Sequence, residues 1–213
     1  MENLFLSWQE FRKGKRKKLD VQIYERHLED NLFQLHRQLK IQTYHHSHYT
    51  SFYISDPKQR HIHKADVEDR IVHHAIYHIL YPLFDTSFIF DSYSCRLDKG
   101  THRSVKRLEK FTRIVSQNYT KPCFALKCDI KKFFDSVDHE ILFQLIKKKI
   151  TDIKTLNLIW QIISSYNSNS SPSTSSGFRE RERVKEGFRW AISLPNFLPI
   201  FISMNLINSL NTN

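Results

Sequence analysis

One aspartate stands where a sequence would place a metal ligand. Asp129 follows an alternating stretch, CFALKC from Cys123 to Cys128, which predicts a strand that ends at this carboxylate. A carboxylate at the end of a buried strand, open to a basic surface, can hold a hard cation, because Mg²⁺ combines one or two carboxylates with substrate phosphates. Two-metal phosphoryl transfer uses such a site. A lone aspartate that only caps a turn is the ordinary alternative, and this residue by itself leaves both open.

The chain around it is strongly basic. Its 213 residues include 33 Lys and Arg against 22 Asp and Glu, a formal net charge of +11. Six basic residues stand in the run Phe11–Lys18, FRKGKRKK. An excess of this size favours a polyanionic partner such as nucleic acid, because each neutralised phosphate releases a counterion. A solvated basic surface with no such partner is the alternative that composition leaves open.

Cysteine and histidine usage speaks against disulfides and zinc. The three cysteines, Cys95, Cys123 and Cys128, do not form a disulfide framework, and no signal peptide precedes the N-terminal MENLFLSWQEF. We therefore expect a reducing, cytoplasmic setting. The histidine clusters HHSH, HIH and HH lack a cysteine pair at ligand spacing, so they do not favour a zinc site.

Helical periodicity dominates the first half of the chain. The stretch Leu19–Lys40 predicts a helix whose apolar face holds Leu28, Leu32, Leu35 and Leu39. The stretch Thr50–Ser55, TSFYIS, predicts a strand, and the following DPKQR predicts a turn. A second helix is expected to begin at the N-cap candidate Asp66, with Val67, Ile71, Ala75 and Ile79 facing the core.

The second half predicts two more helices and an irregular C-terminal part. Ser136 is the candidate cap of a helix that turns Ile141, Leu142, Leu145 and Ile146 inward, and TLNLIWQII predicts a short helix after it. Residues 166–186 are rich in Ser and Asn and predict a flexible segment. The apolar tail 187–213 is interrupted by Pro195, Asn196, Pro199 and Asn205, so it predicts no membrane span.

The residues that follow Asp129 carry a family resemblance. The stretch DIKKFFDSVDHEIL resembles motif A of reverse transcriptases, Asp-hydrophobic-Lys-x-x-Phe-x-x-hydrophobic-Asp-His. The resemblance implies that Asp129 binds both catalytic Mg²⁺ ions, assisted by the backbone carbonyl of Ile130. It makes Phe134 the steric gate that excludes a ribose 2′-hydroxyl and so favours deoxynucleotides. Asp138 and His139 are expected to be structural, at the start of the helix behind the site.

Two upstream segments extend the resemblance over about Met1–Ile163. The stretch KQRHIHKADVEDRIVHHAI is similar to the fingers of the same family, which implies that Lys58 and Arg60, with Arg70 as a further candidate, grip the incoming triphosphate. The stretch FDSYSCRLDKGTHRSV matches a further block, which supports the template and the nucleotide pocket through Tyr93, Arg96, Gly100, Thr101 and His102. The residue pattern of this block resembles most closely that of the bacterial enzymes of diversity-generating retroelements, with retron and group II intron enzymes next.

The resemblance implies an α+β fold, a right-hand polymerase with fingers and the start of the palm in residues 1–120 and the palm with motif A in residues 121–165. The implied reaction is RNA-templated addition of dNTPs to the 3′-hydroxyl of a DNA or RNA primer, with Mg²⁺ as cofactor and an accessory protein as a further possible partner. No membrane partner is expected. A catalytically inactive nucleic-acid-binding remnant is the alternative, and a basic scaffold unrelated to polymerases would make three ordered motifs a coincidence.

Parts of such an enzyme are absent from the sequence. It contains no Asp-Asp pair, no Gly-x-x-x-Ser-Gln block and no thumb. The possible codons of the tail can also be read one base earlier. In that shifted frame, the codons of Trp190 and Ala191 can encode only glycine at this position, and those of Met204 and Asn205 only glutamate. The remaining shifted codons permit GLPLGNLTSQFFANIYLNELD, which is the absent block. We therefore expect a frameshift between about Ser165 and Glu186, in the gene or in its sequencing, with residues 187–213 out of frame.

Overall fold

The computed structural model describes residues 1–55, 59–94, 96–128 and 137–166. The chain divides into two units, and their described parts are residues 1–83 with 138–166, and residues 84–128 with Val137. The elements, in chain order, are α1 (Glu2–Arg12), α2 (Leu19–Arg26), α3 (Leu28–Ile41), β1 (Thr50–Ser55), β2 (Gln59–Lys64), α4 (Val67–Asp85), α5 (Thr101–Val115), α6 (His139–Lys147) and α7 (Ile153–Ser165).

The N-terminal helices form where the apolar residues recur at helical spacing. Trp8 and Phe11 of α1 and Leu32 and Leu35 of α3 are buried in the core. The helix predicted over residues 19–40 is confirmed in type but is interrupted at His27, whose backbone (φ −122°, ψ 39°) is not helical, so it forms α2 and α3. The periodicity of the apolar residues continues across this break, which is why the sequence did not reveal it.

A two-stranded antiparallel ribbon follows. The predicted strand β1 is confirmed, and it pairs with β2 so that Tyr53 lies opposite His61 and Ile54 opposite Arg60. The sequence analysis missed β2, because it assigned part of this stretch to the turn DPKQR. Residues 56–58 of that turn lie outside the described part of the chain.

Helix α4 begins at its predicted position. The backbone N–H of Arg70 donates to the carbonyl of Asp66 at 3.0 Å. Val67, Ile71 and Ala75 are buried as expected, but Ile79 is 48% exposed, so its assignment to the core was wrong. Every residue from Val67 to Ile76 except Glu68 is buried, so the first half of α4 is covered on nearly all sides. Beyond Ile76 only Leu80 and Phe84 of α4 are buried, so one side of the helix is covered there, and Ile79 lies outside that side.

The second unit contains α5 and an extended segment beyond it. No residue of α5 is buried, and its apolar side chains Val105, Leu108 and Val115 are exposed. The strand predicted over residues 123–128 is wrong for this structure, since that segment has no strand assignment and Phe124 and Leu126 are 94% and 91% exposed. A strand requires a hydrogen-bonded neighbour, and the ladder found in the described residues joins only β1 and β2.

Helices α6 and α7 return to the first unit. The side chain of Asp138 caps α6 by accepting from the N–H groups of Glu140 and Ile141, at 3.0 and 3.2 Å. The structural role predicted for Asp138 is thereby confirmed, whereas Ser136, the expected cap, lies outside the described residues. Leu142 and Ile146 face inward as predicted. Helix α7 begins two residues before the predicted TLNLIWQII, behind the cap Asp152.

The described chain is therefore a mixed, mainly helical fold with one small sheet. Across the described residues, we find no helix that combines the length and apolar character needed to cross a membrane. The Ser-rich segment from residue 167 onward and the whole apolar tail lie outside the described residues, so the structure leaves those two predictions as they stand.

Candidate nucleotide and nucleic-acid site

The residues predicted to do the chemistry fall outside the described part of the chain. Asp129, Ile130 and Phe134 lie in the stretch 129–136, and Lys58 lies in the stretch 56–58. Their roles as metal ligands, steric gate and triphosphate ligand stay predictions. Within residues 1–55, 59–94, 96–128 and 137–166, no cluster of three or more His, Cys, Asp or Glu side chains could hold a metal ion.

Arg70 is placed inside the first unit. Its guanidinium donates to Asp20 Oδ2 at 2.7 Å and to the carbonyl of Asp66 at 3.3 Å, and it lies 4.7 Å from the centroid of the Phe11 ring. The residue is only 2% exposed. The predicted contact with a triphosphate stays a prediction, and it would have to compete with the bond to Asp20.

Asp20 joins Arg70 to the ribbon. Its carboxylate also accepts from Lys64 Nζ, the last residue of β2, at 2.8 Å. Partial burial raises the pKa of Asp20, but the hydrogen bonds from Lys64 and Arg70 outweigh it and hold the pKa below its usual range. The triad therefore fixes the end of β2, and with it the strand that carries Arg60, to the start of α2.

Asp69, which directly precedes Arg70, anchors the segment before β1. Its carboxylate accepts from the hydroxyl of Tyr44 at 2.6 Å and from the N–H of Ser47 at 3.2 Å. Burial raises the pKa of Tyr44, and the carboxylate beside it raises it further, so this phenol stays protonated as the donor. Gln161 of α7 donates to the carbonyl of Tyr44 at 2.9 Å. Helices α4 and α7 thus both form hydrogen bonds with the segment that leads into β1.

A pair of buried imidazoles completes this anchor. His46 Nδ1 lies 2.7 Å from the carbonyl of Ser47, and His46 Nε2 lies 3.1 Å from His73 Nε2. Because a carbonyl only accepts, Nδ1 of His46 donates to it, and a single proton is shared between the two Nε2 atoms. Burial lowers the pKa of His73 to about 3.

The buried histidines make stability sensitive to acid. Burial lowers the pKa of His74 to about 4, as it lowers that of His73 to about 3. Between about pH 4 and pH 6.5 the unfolded chain therefore binds more protons than the folded chain. We expect the free energy of unfolding to be constant above about pH 6.5. At about pH 5 it should be lower by about 2 kcal/mol for each of these two histidines. Urea unfolding at several pH values measures this.

His74→Leu is the matched variant for that experiment. Nε2 of His74 is buried and has no hydrogen-bond partner among the described residues, so leucine removes a titrating group without breaking a bond at that atom. The decrease in stability between about pH 7 and pH 5 should become roughly half as large. An unchanged decrease in this variant would show that His74 does not titrate as its burial requires.

In the second unit, Arg96 closes the loop between α4 and α5. Its Nε donates to Asp85 Oδ1 at 2.7 Å, and its Nη1 donates to the carbonyl of Ile89 at 3.1 Å. The guanidinium also lies 5.0 Å from the centroid of Phe88. Arg96 therefore shapes the loop that carries Tyr93, whatever that loop binds.

Tyr93 belongs to a cluster that the sequence analysis did not foresee. Its hydroxyl donates to Asp91 Oδ1 at 3.1 Å, and Arg107 of α5 donates to the same oxygen at 2.8 Å. The bond from Arg107 lowers the pKa of Asp91. Lys99 lies 3.8 Å from the centroid of Phe90, and Arg107 lies 5.1 Å from it. The aromatic residues at 88, 90 and 93, followed by basic residues between 96 and 110, were the available signal.

Thr101 and His102 open α5. Both are exposed, and they follow Gly100, whose positive φ of 87° suits glycine. Tyr93, Arg96, Thr101 and His102 all belong to the second unit, whereas Arg60 and Arg70 belong to the first. The predicted support residues are thus brought together in one loop and the helix start after it.

Comparison with known proteins agrees with these motifs. The family described as "Reverse transcriptase (RNA-dependent DNA polymerase)" matches residues 55–198, about two thirds of the chain. Protein YkfC of Escherichia coli (strain K12) is 24% identical over 97 residues, which cover 46% of this chain and 25% of that protein. Nuclear intron maturase 1, mitochondrial, of Arabidopsis thaliana is 27% identical over 92 residues, which cover 43% of this chain and 12% of that protein.

The chain therefore aligns with about a quarter of the first relative and an eighth of the second. The family match includes the ribbon residue Arg60, the loop residues Tyr93 and Arg96, and the motif A residues Asp129 and Phe134. Because one family accounts for most of the chain and for its candidate site in a single alignment, we conclude that the chain belongs to the reverse transcriptase family.

Proposed function

We propose that the chain supplies the fingers and the first part of the palm of an RNA-directed DNA polymerase. The parent enzyme extends a DNA or RNA primer along an RNA template with dNTPs, and the primer 3′-hydroxyl attacks the α-phosphate and releases pyrophosphate. One observation carries the proposal: the motif A pattern that begins at Asp129 lies within the family match of residues 55–198.

The donor set of motif A suits magnesium. The Asp129 carboxylate and the Ile130 carbonyl offer oxygen ligands, which Mg²⁺ prefers over nitrogen and sulfur. When bound, the metal ions stabilise the attacking and leaving oxygens of the displacement. A single carboxylate does not suffice for two ions, so the parent enzyme requires the further carboxylates that this chain lacks.

Of the remaining candidate residues, some contact the incoming nucleotide and others hold those residues in position. Lys58 and Arg60 bind the triphosphate of the incoming nucleotide, and the ring of Phe134 lies against its sugar. Arg70 supports them indirectly, since through Asp20 it holds the end of β2. In the second unit, Tyr93 and Arg96 order the loop, and Thr101 and His102, at the start of α5, support the template and the nucleotide.

The proposal includes a frame change in the coding sequence. The shifted codons of residues 187–213 permit the Gly-x-x-x-Ser-Gln block, and each of them can encode only a few amino acids. The residue pattern that they permit resembles that of the diversity-generating class. The family match extends to residue 198 in the frame as given, so it includes the first part of this tail, and sequencing the coding DNA tests the frame change. Retron and group II intron enzymes stay the next candidates for the class.

Exposed apolar surface in the second unit supports the same interpretation. Val105, Leu108 and Val115 form one face of α5 and are 58–63% exposed. Phe124 and Leu126, beyond the helix, are exposed still further. Apolar side chains exposed together on one face of a helix mark a place where another element packs. A palm sheet completed in the other reading frame would cover it.

Sequencing the locus through the Ser-rich segment, followed by primer extension, tests the proposal. The 213-residue chain should incorporate no dNTP, because Asp129 is the single metal carboxylate of its motifs. The frame-restored protein, with its later palm and thumb, should extend a primer on RNA when Mg²⁺ is present and stop when EDTA removes it. Incorporation by the 213-residue chain would overturn the frame change.

The second candidate is a cytoplasmic nucleic-acid-binding remnant without catalysis. The net charge of +11 favours it, because that charge acts whether or not the active site is complete. Its discriminating observation is the coding DNA. Two later aspartate codons in the other frame indicate a damaged enzyme, and their absence indicates a remnant that binds RNA but restores no activity in any frame.

A further inference from the structure

Two histidines share one face of the β1–β2 ribbon. His61 and His63 lie two positions apart on β2, and residues at that spacing in a strand point to the same side. The antiparallel register places Tyr53 opposite His61 and Ser51 opposite His63, so these four side chains share the face. The proposed function assigns no role to this histidine pair.

The two imidazoles lie near the separation that a shared metal ion requires. Their ring centroids are 4.3 Å apart, and the ring planes meet at 64°. A metal ion bound to two imidazole nitrogens at about 2.0–2.1 Å, with roughly a right or tetrahedral angle between the bonds, places the ring centroids roughly 4.5–5 Å apart. A small rotation of the two side chains therefore brings one nitrogen of each ring to a common point.

Neighbouring rings hold both histidines in position. Tyr53 stacks on His61 with the centroids 4.5 Å apart and 16° between the ring planes. Tyr166 meets His63 in an edge contact at 5.7 Å. A stacking contact occupies the face of the His61 ring, whereas a metal ion binds a nitrogen in the plane of the ring. The stack therefore orients His61 and leaves its nitrogen lone pair outside the contact.

The donor set determines which ions suit the pair. His61 is exposed and His63 is half-buried, so an ion can reach the two rings from solvent. Within the described residues, no third His, Cys, Asp or Glu side chain completes a metal cluster, so water would fill the other positions. Two imidazoles without a carboxylate favour the divalent ions that bind nitrogen, such as Zn²⁺, Ni²⁺ and Cu²⁺, over Mg²⁺.

We propose that His61 and His63 together bind one divalent ion of this nitrogen-binding class. The two nitrogens converge only while residues 61–63 are extended, so the ion stabilises a ribbon that by itself is marginally stable. The HIH run did not indicate this site, because the usual sequence signal is a cysteine pair at ligand spacing. The site does not depend on the proposed function, whose Mg²⁺ ions take oxygen ligands.

Isothermal titration calorimetry of the full chain with Zn²⁺ tests the proposal. At about pH 7.5 an ordinary imidazole is largely unprotonated and can bind a metal ion. His61→Gln and His63→Gln each leave one ligand of the pair, so the number of Zn²⁺ ions bound at micromolar concentration should fall by one in either variant. A large excess of Mg²⁺ should leave that number unchanged in the unaltered chain.

His48→Gln is the matched control. His48 is an exposed histidine of the HHSH run, outside the ribbon, and the same change there should leave the number of bound ions as it is. Labelling with diethyl pyrocarbonate, read by mass spectrometry, locates the ion. Zn²⁺ should protect His61 and His63 from the reagent in the unaltered chain and leave His48 reactive.

Equal numbers of bound Zn²⁺ ions in the unaltered chain, His61→Gln and His63→Gln would overturn the inference. Equal labelling of both histidines with and without Zn²⁺ would overturn it too, as would displacement of the ion by Mg²⁺. If circular dichroism shows that one variant does not fold, the other variant and the protection in the unaltered chain decide. A failure of the proposed function looks different, since the frame-restored protein would then extend no primer while Zn²⁺ binding stayed as it is.

Discussion

Replacement of Asp129 by asparagine in the frame-restored protein is expected to abolish DNA synthesis. The change keeps the shape of the side chain and removes the charge of a carboxylate that motif A assigns to the metal ions. Metal ions supply several kcal/mol of transition-state stabilisation, so the loss should be on the order of 10³-fold or more in kcat/KM. Steady-state primer extension on an RNA template measures it.

Asp138→Asn is the matched control for that result. Asp138 undergoes the same chemical change within the same motif, but the structure shows that its carboxylate caps α6 through Glu140 and Ile141. Asparagine is also a good N-cap, so stability and activity should stay near those of the unaltered protein. Full activity of Asp129→Asn would remove Asp129 from the active site, and equal losses in both variants would point to folding instead.

Replacement of Phe134 by alanine is expected to let the frame-restored enzyme accept ribonucleotides. The ring should exclude the 2′-hydroxyl by its volume, and alanine leaves room for it. The ratio of kcat/KM for a dNTP over that for the matching rNTP should fall on the order of 10–100-fold, with use of the dNTP largely retained. Single-nucleotide incorporation with each sugar in separate reactions gives the ratio.

The neighbouring ring supplies the control. Phe133→Ala removes an equal volume one residue earlier, and the motif A register assigns no sugar contact to Phe133. Its ratio should not change. A fall in the ratio with Phe133→Ala and none with Phe134→Ala would show that the register is wrong by one residue. No change in either variant would show that neither ring faces the sugar.

Predictions from local patterns were correct where the buried residues lie close together along the sequence. The leucine spacing predicted α3, and the apolar residues after Asp138 predicted the inward face of α6, because a helix places residues three and four apart on one side. The strand β1 and the start of α4 after Asp66 were also predicted from nearby residues. The family was identified from three ordered motifs, since catalytic chemistry constrains residue types at short spacing.

The elements that were missed or misplaced depend on distant partners. The strand β2 forms because β1 is there to pair with it, and the stretch 123–128, which alternates just as well, has no strand assignment. An alternating pattern shows only that one face would be apolar. Whether a strand forms depends on a hydrogen-bonding neighbour, which the local sequence does not contain.

The candidate site divides in the same way. Motif A, the basic run and the family membership follow from the sequence alone, because they rest on residue types at fixed spacing and on net charge. Only the tertiary structure shows that Arg70 bonds Asp20 fifty positions away and that Tyr53 stacks on His61. Those pairings depend on how the chain folds back on itself, since residues that are not neighbours along the sequence are brought together in space.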